Sequence, residues 1–158
     1  MAAEIKREHV NATVRAFLPA DAAAVTEILQ ESPRAANWTE ASVQESAGWR
    51  GMVLLVSESD GKVTGFIIGR QVADQAEILN LAVSAAKRRE GEGEALLKAA
   101  MDEFRARQVS YVFLEVRESN EAGIAFYTKH GFSGRDCRLN YYHDPDEAAI
   151  VMEMKLGV

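Results

Sequence analysis

The sequence predicts a single α/β domain, a mixed sheet of about seven strands flanked by about four helices in the order β-α-α-β-β-β-α-β-α-β-β. Three observations lead there. The chain has 158 residues, 47% of them apolar, which fills one sizeable core but not two. Short runs with strand patterning are interleaved with stretches of helical period. Finally, Val109-Ser110-Tyr111-Val112-Phe113-Leu114-Glu115-Val116 has the density of a strand buried on both faces, and it follows a helix that itself follows a strand. Such a unit implies a right-handed crossover.

Each element has its own signal. Residues 1–10 mix charges of both signs and are expected to form an extension ahead of a domain over 11–158. Ala12 to Phe17 alternates like a short strand. Pro19-Ala20-Asp21 then opens a helix, with Asp21 as its N-cap and Val25, Ile28 and Leu29 as its buried stripe. Pro33 ends it, and a second helix starts near Thr39 and runs through Val43 to Gly48. Met52–Val56 and Val63–Ile68 flank Asp60-Gly61, a pair suited to the positive φ angles of a tight hairpin. Ala76–Val83 is a third strand in this region, and residues 87–93 form the turn after it. A long helix follows, with Leu96, Leu97, Ala100, Met101 and Phe104 on one face. Beyond the apolar strand, Asn120 caps a helix through Ile124 and Tyr127 that stops at Gly131. Strands near Cys137–Tyr142 and Ala148–Met154 close the sheet as a hairpin.

Composition narrows the function. The formal net charge of −6 argues against a protein that coats nucleic acid, because that task needs a basic face. No stretch approaches the roughly 20 apolar residues of a membrane span, and the start lacks a secretory leader pattern. A cytoplasmic protein without a membrane partner is expected. Cys137 is the only cysteine, so an internal disulfide and a four-cysteine metal cage are excluded. No histidine or carboxylate cluster has metal-ligand spacing, and no metal is expected. A Cys137 nucleophile would need His130 or His143 and a third, orienting group, which nothing in the sequence supplies.

The turn Arg88-Arg89-Glu90-Gly91-Glu92-Gly93 lies between a strand and a helix. Two glycines there let backbone N–H groups at the helix start approach a phosphate, and Lys87, Arg88 and Arg89 add positive charge. Taken alone, it fits a solvated basic turn equally well. A dinucleotide fold would need a third glycine, and a nucleoside-triphosphate loop a Gly-Lys-Ser or Gly-Lys-Thr that is absent.

Arg88-x-x-Gly91-x-Gly93, after Leu79-Asn80-Leu81-Ala82-Val83 and before Ala95-Leu96-Leu97, resembles the acyl-CoA motif of the Gcn5-related N-acetyltransferases, and the order of elements matches that fold from Asn11 onward. Leu114-Glu115-Val116-Arg117-x-Ser119-Asn120-x-Ala122, Ala125-x-Tyr127, Gly131-Phe132 and Asn140-Tyr141-Tyr142 extend the resemblance, which is strongest over 77–156. Within the family these segments are most similar to bacterial enzymes that acetylate the N-terminal alanine of a ribosomal protein. The resemblance implies acetyl-CoA as acyl-donor substrate and a protein N-terminus as acceptor. It implies that Leu81, Ala82 and Val83 present backbone groups to the pantetheine arm and acetyl carbonyl, and that Arg88 and the turn Arg89, Glu90, Gly91, Glu92, Gly93 and Glu94 wrap the pyrophosphate. Asn120 would hydrogen-bond the cofactor, Glu115 would be the general base, directly or through water, and Tyr127 the general acid.

The chemistry suits these residue types. An α-amino group of pKa near 8 costs about 1 kcal/mol to deprotonate at neutral pH, and a lysine near 10.4 more than about 4, so an N-terminus is the easier acceptor. A carboxylate at the end of an apolar strand can take the amine's proton, although Glu115 could equally form an ion pair with Arg117 on its strand face. Tyr127 follows Asn120 by seven residues, about two turns, so both face one side of their helix. A phenol can protonate a departing thiolate, while a packed core tyrosine is the commoner fate.

The chain departs from the family pattern at Glu90, Glu92 and Glu94, three carboxylates expected to repel a pyrophosphate and weaken its binding, and at Ser84-Ala85-Ala86, where the family often has Asp-Pro. Trp38, Tyr141 and Tyr142 either wall an acceptor groove or, for Trp38, pack in the core. The acidic loop Asp144-Pro145-Asp146-Glu147 either attracts a basic peptide or is a solvated turn. Two other functions compete: acetylation of a lysine side chain or small amine on the same fold, and a non-catalytic acyl-CoA- or partner-binding role.

Overall fold

A computed structural model describes residues 12–32, 38–142 and 146–157. The expected extension over 1–10 lies outside them, as do Asp144 and Pro145 of the acidic loop. Seven strands form one mixed sheet: β1 (Thr13–Ala16), β2 (Met52–Ser59), β3 (Lys62–Val72), β4 (Gln75–Val83), β5 (Tyr111–Arg117), β6 (Ser133–Tyr142) and β7 (Glu147–Lys155). Four α-helices accompany them: α1 (Ala22–Gln30), α2 (Glu40–Ser46), α3 (Glu92–Ala106) and α4 (Glu121–Lys129). The order is the expected one. In space the strands run β1-β2-β3-β4-β5-β7-β6, with β4 and β5 the parallel pair and every other pairing antiparallel.

Local chemistry accounts for most boundaries. Asp60 (φ 54°) and Gly61 (φ 76°) turn the β2–β3 hairpin. Thr39 caps α2 by accepting from Ser42 N at 3.0 Å, and Asn120 caps α4 by accepting from Gly123 N at 3.0 Å. Asp21 behaves differently. It stands at the N-cap of α1, but its carboxylate accepts from Leu18 N (2.7 Å) and from both Arg15 Nη atoms (2.8 and 3.0 Å), tying β1 to a short 3-10 turn over Pro19–Asp21. The Arg15 guanidinium therefore holds the Asp21 carboxyl below the usual carboxylate range.

The sheet separates two apolar layers. On one face, α3 and α4 pack over Val53, Ile67, Val112, Leu114, Val116 and Met152. On the other, α1 and α2 cover Val56, Phe66, Ile68 and Ala82, with Trp38 packed against that layer and 6.4 Å from Trp49. Trp38 is thus a core-side residue. That second layer stops at β4, so no helix among the described residues covers the same face of β5, β7 and β6.

Candidate active site

At β4 the sheet opens. Its ladder with β3 shifts between Ile68 and Gly69, which makes Leu79 the extra residue of a bulge, and its parallel ladder with β5 ends at Ile78–Leu114. Both strands continue, β4 to Val83 and β5 to Arg117, but they no longer pair. The backbone edge of Leu81, Ala82 and Val83 away from β3 therefore faces a gap. The bulge also reverses the strand's parity, so that Leu81 and Val83 pack with the α3 layer and Ala82 with the α1 layer.

The glycine turn borders this gap. Arg89 (φ 66°) and Gly91 (φ 90°) are both left-handed, and they swing the chain into α3 with no side-chain cap. The first helical bond runs from Ala95 N to Gly91 O, so the N–H groups of Glu92, Gly93 and Glu94 have no helical carbonyl to serve. An uncapped start to a fifteen-residue helix is a site for an anion. Phe126 of α4 lies across it, its ring 3.6 Å from where a Cβ on Gly93 would stand.

Two side chains of the motif point elsewhere. Arg88 folds back, donating through Nε to Val83 O (3.1 Å) and through Nη2 to Glu31 O (3.1 Å) and Ser32 Oγ (3.2 Å). It pins the loop to the end of α1 rather than reaching toward a phosphate. Glu92, expected to confront the pyrophosphate, is instead buried at 3% exposure and accepts hydrogen bonds from Ser57 and Thr64. The expected repulsion is reduced accordingly: Glu94 pairs with Lys98 in an exposed ion pair, while Glu90 is exposed on the turn. The Asn120 side-chain oxygen accepts the capping bond from Gly123 N, which leaves its amide NH2 as the group that could donate to a cofactor.

Glu115 and Tyr127 lie on opposite faces. Val112, Leu114 and Val116 face α3, so Glu115 projects with Phe113 and Arg117 onto the helix-free face. There its Oε1 accepts from Tyr141 Oη at 3.0 Å, and Oε2 lies 3.0 Å from Arg138 Nη1. That ion pair leaves the buried Oε2 without a directed hydrogen bond. The ion pair expected with Arg117 does not form. Arg117 instead bonds Glu147 at 3.2 Å and stacks on the Tyr142 ring, and Glu147 also accepts from Ser119 N at 2.6 Å. Glu77 shares the Glu115 face, where burial and then the Glu115 charge raise its pKa. Tyr127 packs against the α3 layer, edge-on to Phe126 (5.2 Å) and Phe132 (5.5 Å), and burial pushes its phenol pKa up. Its hydroxyl has no hydrogen-bond partner among the described residues.

Cys137 is exposed on β6, His130 packs tilted against Phe126 at 4.7 Å, and His143 lies outside the described residues. Among the described residues no group of three His, Cys, Asp or Glu could hold a metal. No described helix is long and apolar enough to cross a membrane.

Residues 22–132 match the sequence profile of the Acetyltransferase (GNAT) family. The chain belongs to this family. It is 35% identical over 132 residues to the [Ribosomal protein bS18]-alanine N-acetyltransferase of Escherichia coli (strain K12), covering 82% of this chain and 88% of that one. It is 30% identical over 131 residues to the protein of the same name from Haemophilus ducreyi, covering 81% and 90%. Among solved structures, the Escherichia coli ribosomal-protein-S18-alanine N-acetyltransferase superposes with a TM-score of 0.84 at 34% identity over 93% of this chain and 95% of that one. Ard1 from Thermoplasma volcanium superposes with 0.85 at 33% identity over 94% and 100%. The protein is a GNAT N-acetyltransferase, and the family uses acetyl-CoA as acyl donor.

The partners of Glu115, the inward turn of Glu92 and the retreat of Arg88 carry no signal in local spacing. Each joins residues far apart in the chain, 26 positions for Tyr141 and Glu115 and 57 for Arg88 and Glu31.

Proposed function

We propose that the protein is a cytoplasmic Nα-acetyltransferase that moves the acetyl group of acetyl-CoA to the N-terminal amine of a protein, with a ribosomal protein among its acceptors. One observation carries the reading: the β4–β5 ladder ends at Ile78 and Leu114, with Glu115 next along β5 on one face of the sheet and, on the other face, the layer that holds the uncapped start of α3 and Tyr127. The pyrophosphate rests on the N–H groups at the start of α3, and the pantetheine arm runs along Leu81–Val83 into the gap. The acceptor enters over the helix-free face past Tyr141 and Tyr142.

The neutral amine nitrogen attacks the thioester carbonyl carbon, and the carbon–sulfur bond breaks. The amine's proton goes to the Glu115 carboxylate, directly or through water, at the oxygen that lacks a directed hydrogen bond. Tyr127, on the donor side, returns a proton to the departing thiolate. Asn120 supports the donor by capping α4, which holds Tyr127 and Phe126 against the turn. Glu115 and, beside it, Glu77 make the acceptor face acidic and favour a cationic N-terminus over an acidic one, although burial and the Glu115 charge raise the Glu77 pKa and so temper its share of that charge.

The test is thiol release from acetyl-CoA in the presence of an alanine-initiated peptide copied from a ribosomal-protein N-terminus. Release that depends on the peptide, and that Glu115→Gln lowers about a hundredfold, supports the proposal. Release unaffected by the peptide or by that substitution overturns it.

A further inference from the structure

Glu92 stands between the two glycines of the motif, yet its side chain turns under the helix rather than out of the turn. Its Oε1 accepts from Ser57 Oγ on β2 at 2.9 Å and from Thr64 Oγ1 on β3 at 2.7 Å, all three residues being buried. Two backbone features make room for this. Ser57 pairs with Gly65 and Glu58 with Val63, so Thr64 is the extra residue of a bulge, and both hydroxyls converge on one side of the sheet. Gly65, opposite Ser57, supplies the space, since a Cβ there would sit 2.6 Å from Ser57 Oγ. Thr64 also accepts, through its carbonyl, from Ser84 N at 2.8 Å. One residue therefore holds the β4–α3 loop at its first position through backbone and at the start of α3 through its side chain. Between these points lie the left-handed Arg89 and Gly91.

We propose that the Glu92–Ser57–Thr64 cluster positions the donor cradle: it fixes the height and rotation of the first turn of α3 over the sheet, so that the N–H groups of residues 92–94 meet the pyrophosphate already aligned. The inference rests on the reading of the turn as the acyl-CoA cradle. Glu92 is a positioning residue, whose side chain touches no donor atom. It acts as a double hydrogen-bond acceptor rather than as a charge, so an amide oxygen replaces it.

Two donors separate this role from a general structural one: acetyl-CoA and S-acetylpantetheine, which carries the same thioester without the pyrophosphate. Wild type should prefer acetyl-CoA. In Glu92→Leu, kcat/KM for acetyl-CoA should fall about tenfold through KM, while that for S-acetylpantetheine and the KM for the acceptor peptide stay within about twofold. Glu92→Gln should restore the preference. The milder pair Ser57→Ala with Thr64→Val should reproduce the loss of preference if Glu92→Leu fails to fold. Equal losses for both donors, or unchanged preference in the folded variants, overturns the proposal. A wild-type enzyme indifferent between the two donors would instead overturn the cradle itself.

Discussion

Tyr127 sits half-buried between Phe126 and Phe132, and desolvation there raises its pKa. The sign matters for its role. A raised pKa keeps the proton on the phenol throughout the assay range, so the acid proposed for the departing thiolate is present at every pH below about 10. The kcat of the wild type should therefore show no alkaline fall up to that pH, and Tyr127→Phe should lower kcat about a hundredfold while leaving acetyl-CoA affinity, measured by calorimetry, within about twofold. An alkaline fall that disappears in Tyr127→Phe would show a phenol that titrates early. Unchanged turnover in the variant would remove Tyr127 from the chemistry. The neighbouring acidic face is a different environment: Tyr141 has its pKa raised first by its hydrogen bond to Glu115, then by burial, so it stays a donor to that carboxylate. This pairing orients Glu115, and it was beyond reach of the sequence because β7 lies between β6 and β5, whose side chains meet only by reaching across it.

The elements were legible where their signal is local. A five-residue apolar stripe marks α3, a positive-φ pair marks the β2–β3 hairpin, and Asn120 marks the start of α4. Three features were not. The strand β6 begins at Ser133, ahead of the expected Cys137, because as an edge strand it buries almost nothing and is held by backbone pairing to β7, leaving no alternation to read. Likewise β3 extends to Val72 through polar Arg70 and Gln71, which the partner strand β4 orders. The bulges at Leu79 and Thr64 depend on a mismatch between two strands that neither shows alone. Asp21 illustrates the same limit: read as a helix cap, it serves as the tie between β1 and the turn before α1. Its carboxyl is more acidic folded than unfolded, so the stability it contributes is present above its unfolded pKa near 4 and fades as pH falls below that. Asp21→Asn should cost about 1–2 kcal/mol in urea unfolding at pH 7, with the gap to wild type narrowing as the pH falls below about 4. A gap that stays constant to pH 2 would contradict this account of the tie.

Across the whole molecule, the division of labour follows the sheet. The face under α3 and α4 carries the uncapped helix start and Tyr127, and the helix-free face carries Glu115, Glu77, Tyr141 and Tyr142. In the proposed reading, donor and acceptor approach from opposite sides and meet where the β4–β5 ladder ends. An α-amine suits this arrangement because its ammonium form gives up its extra proton at little cost, whereas a lysine demands more than about 4 kcal/mol. The direct measurement uses one peptide with a free N-terminal alanine and an internal lysine, and its twin with the N-terminus blocked, each incubated with the protein and acetyl-CoA and mapped by tandem mass spectrometry. The account predicts one acetyl on the α-amine of the first peptide and none on the second. Acetyl on the lysine of the blocked twin, at a rate matching the first peptide, would contradict it.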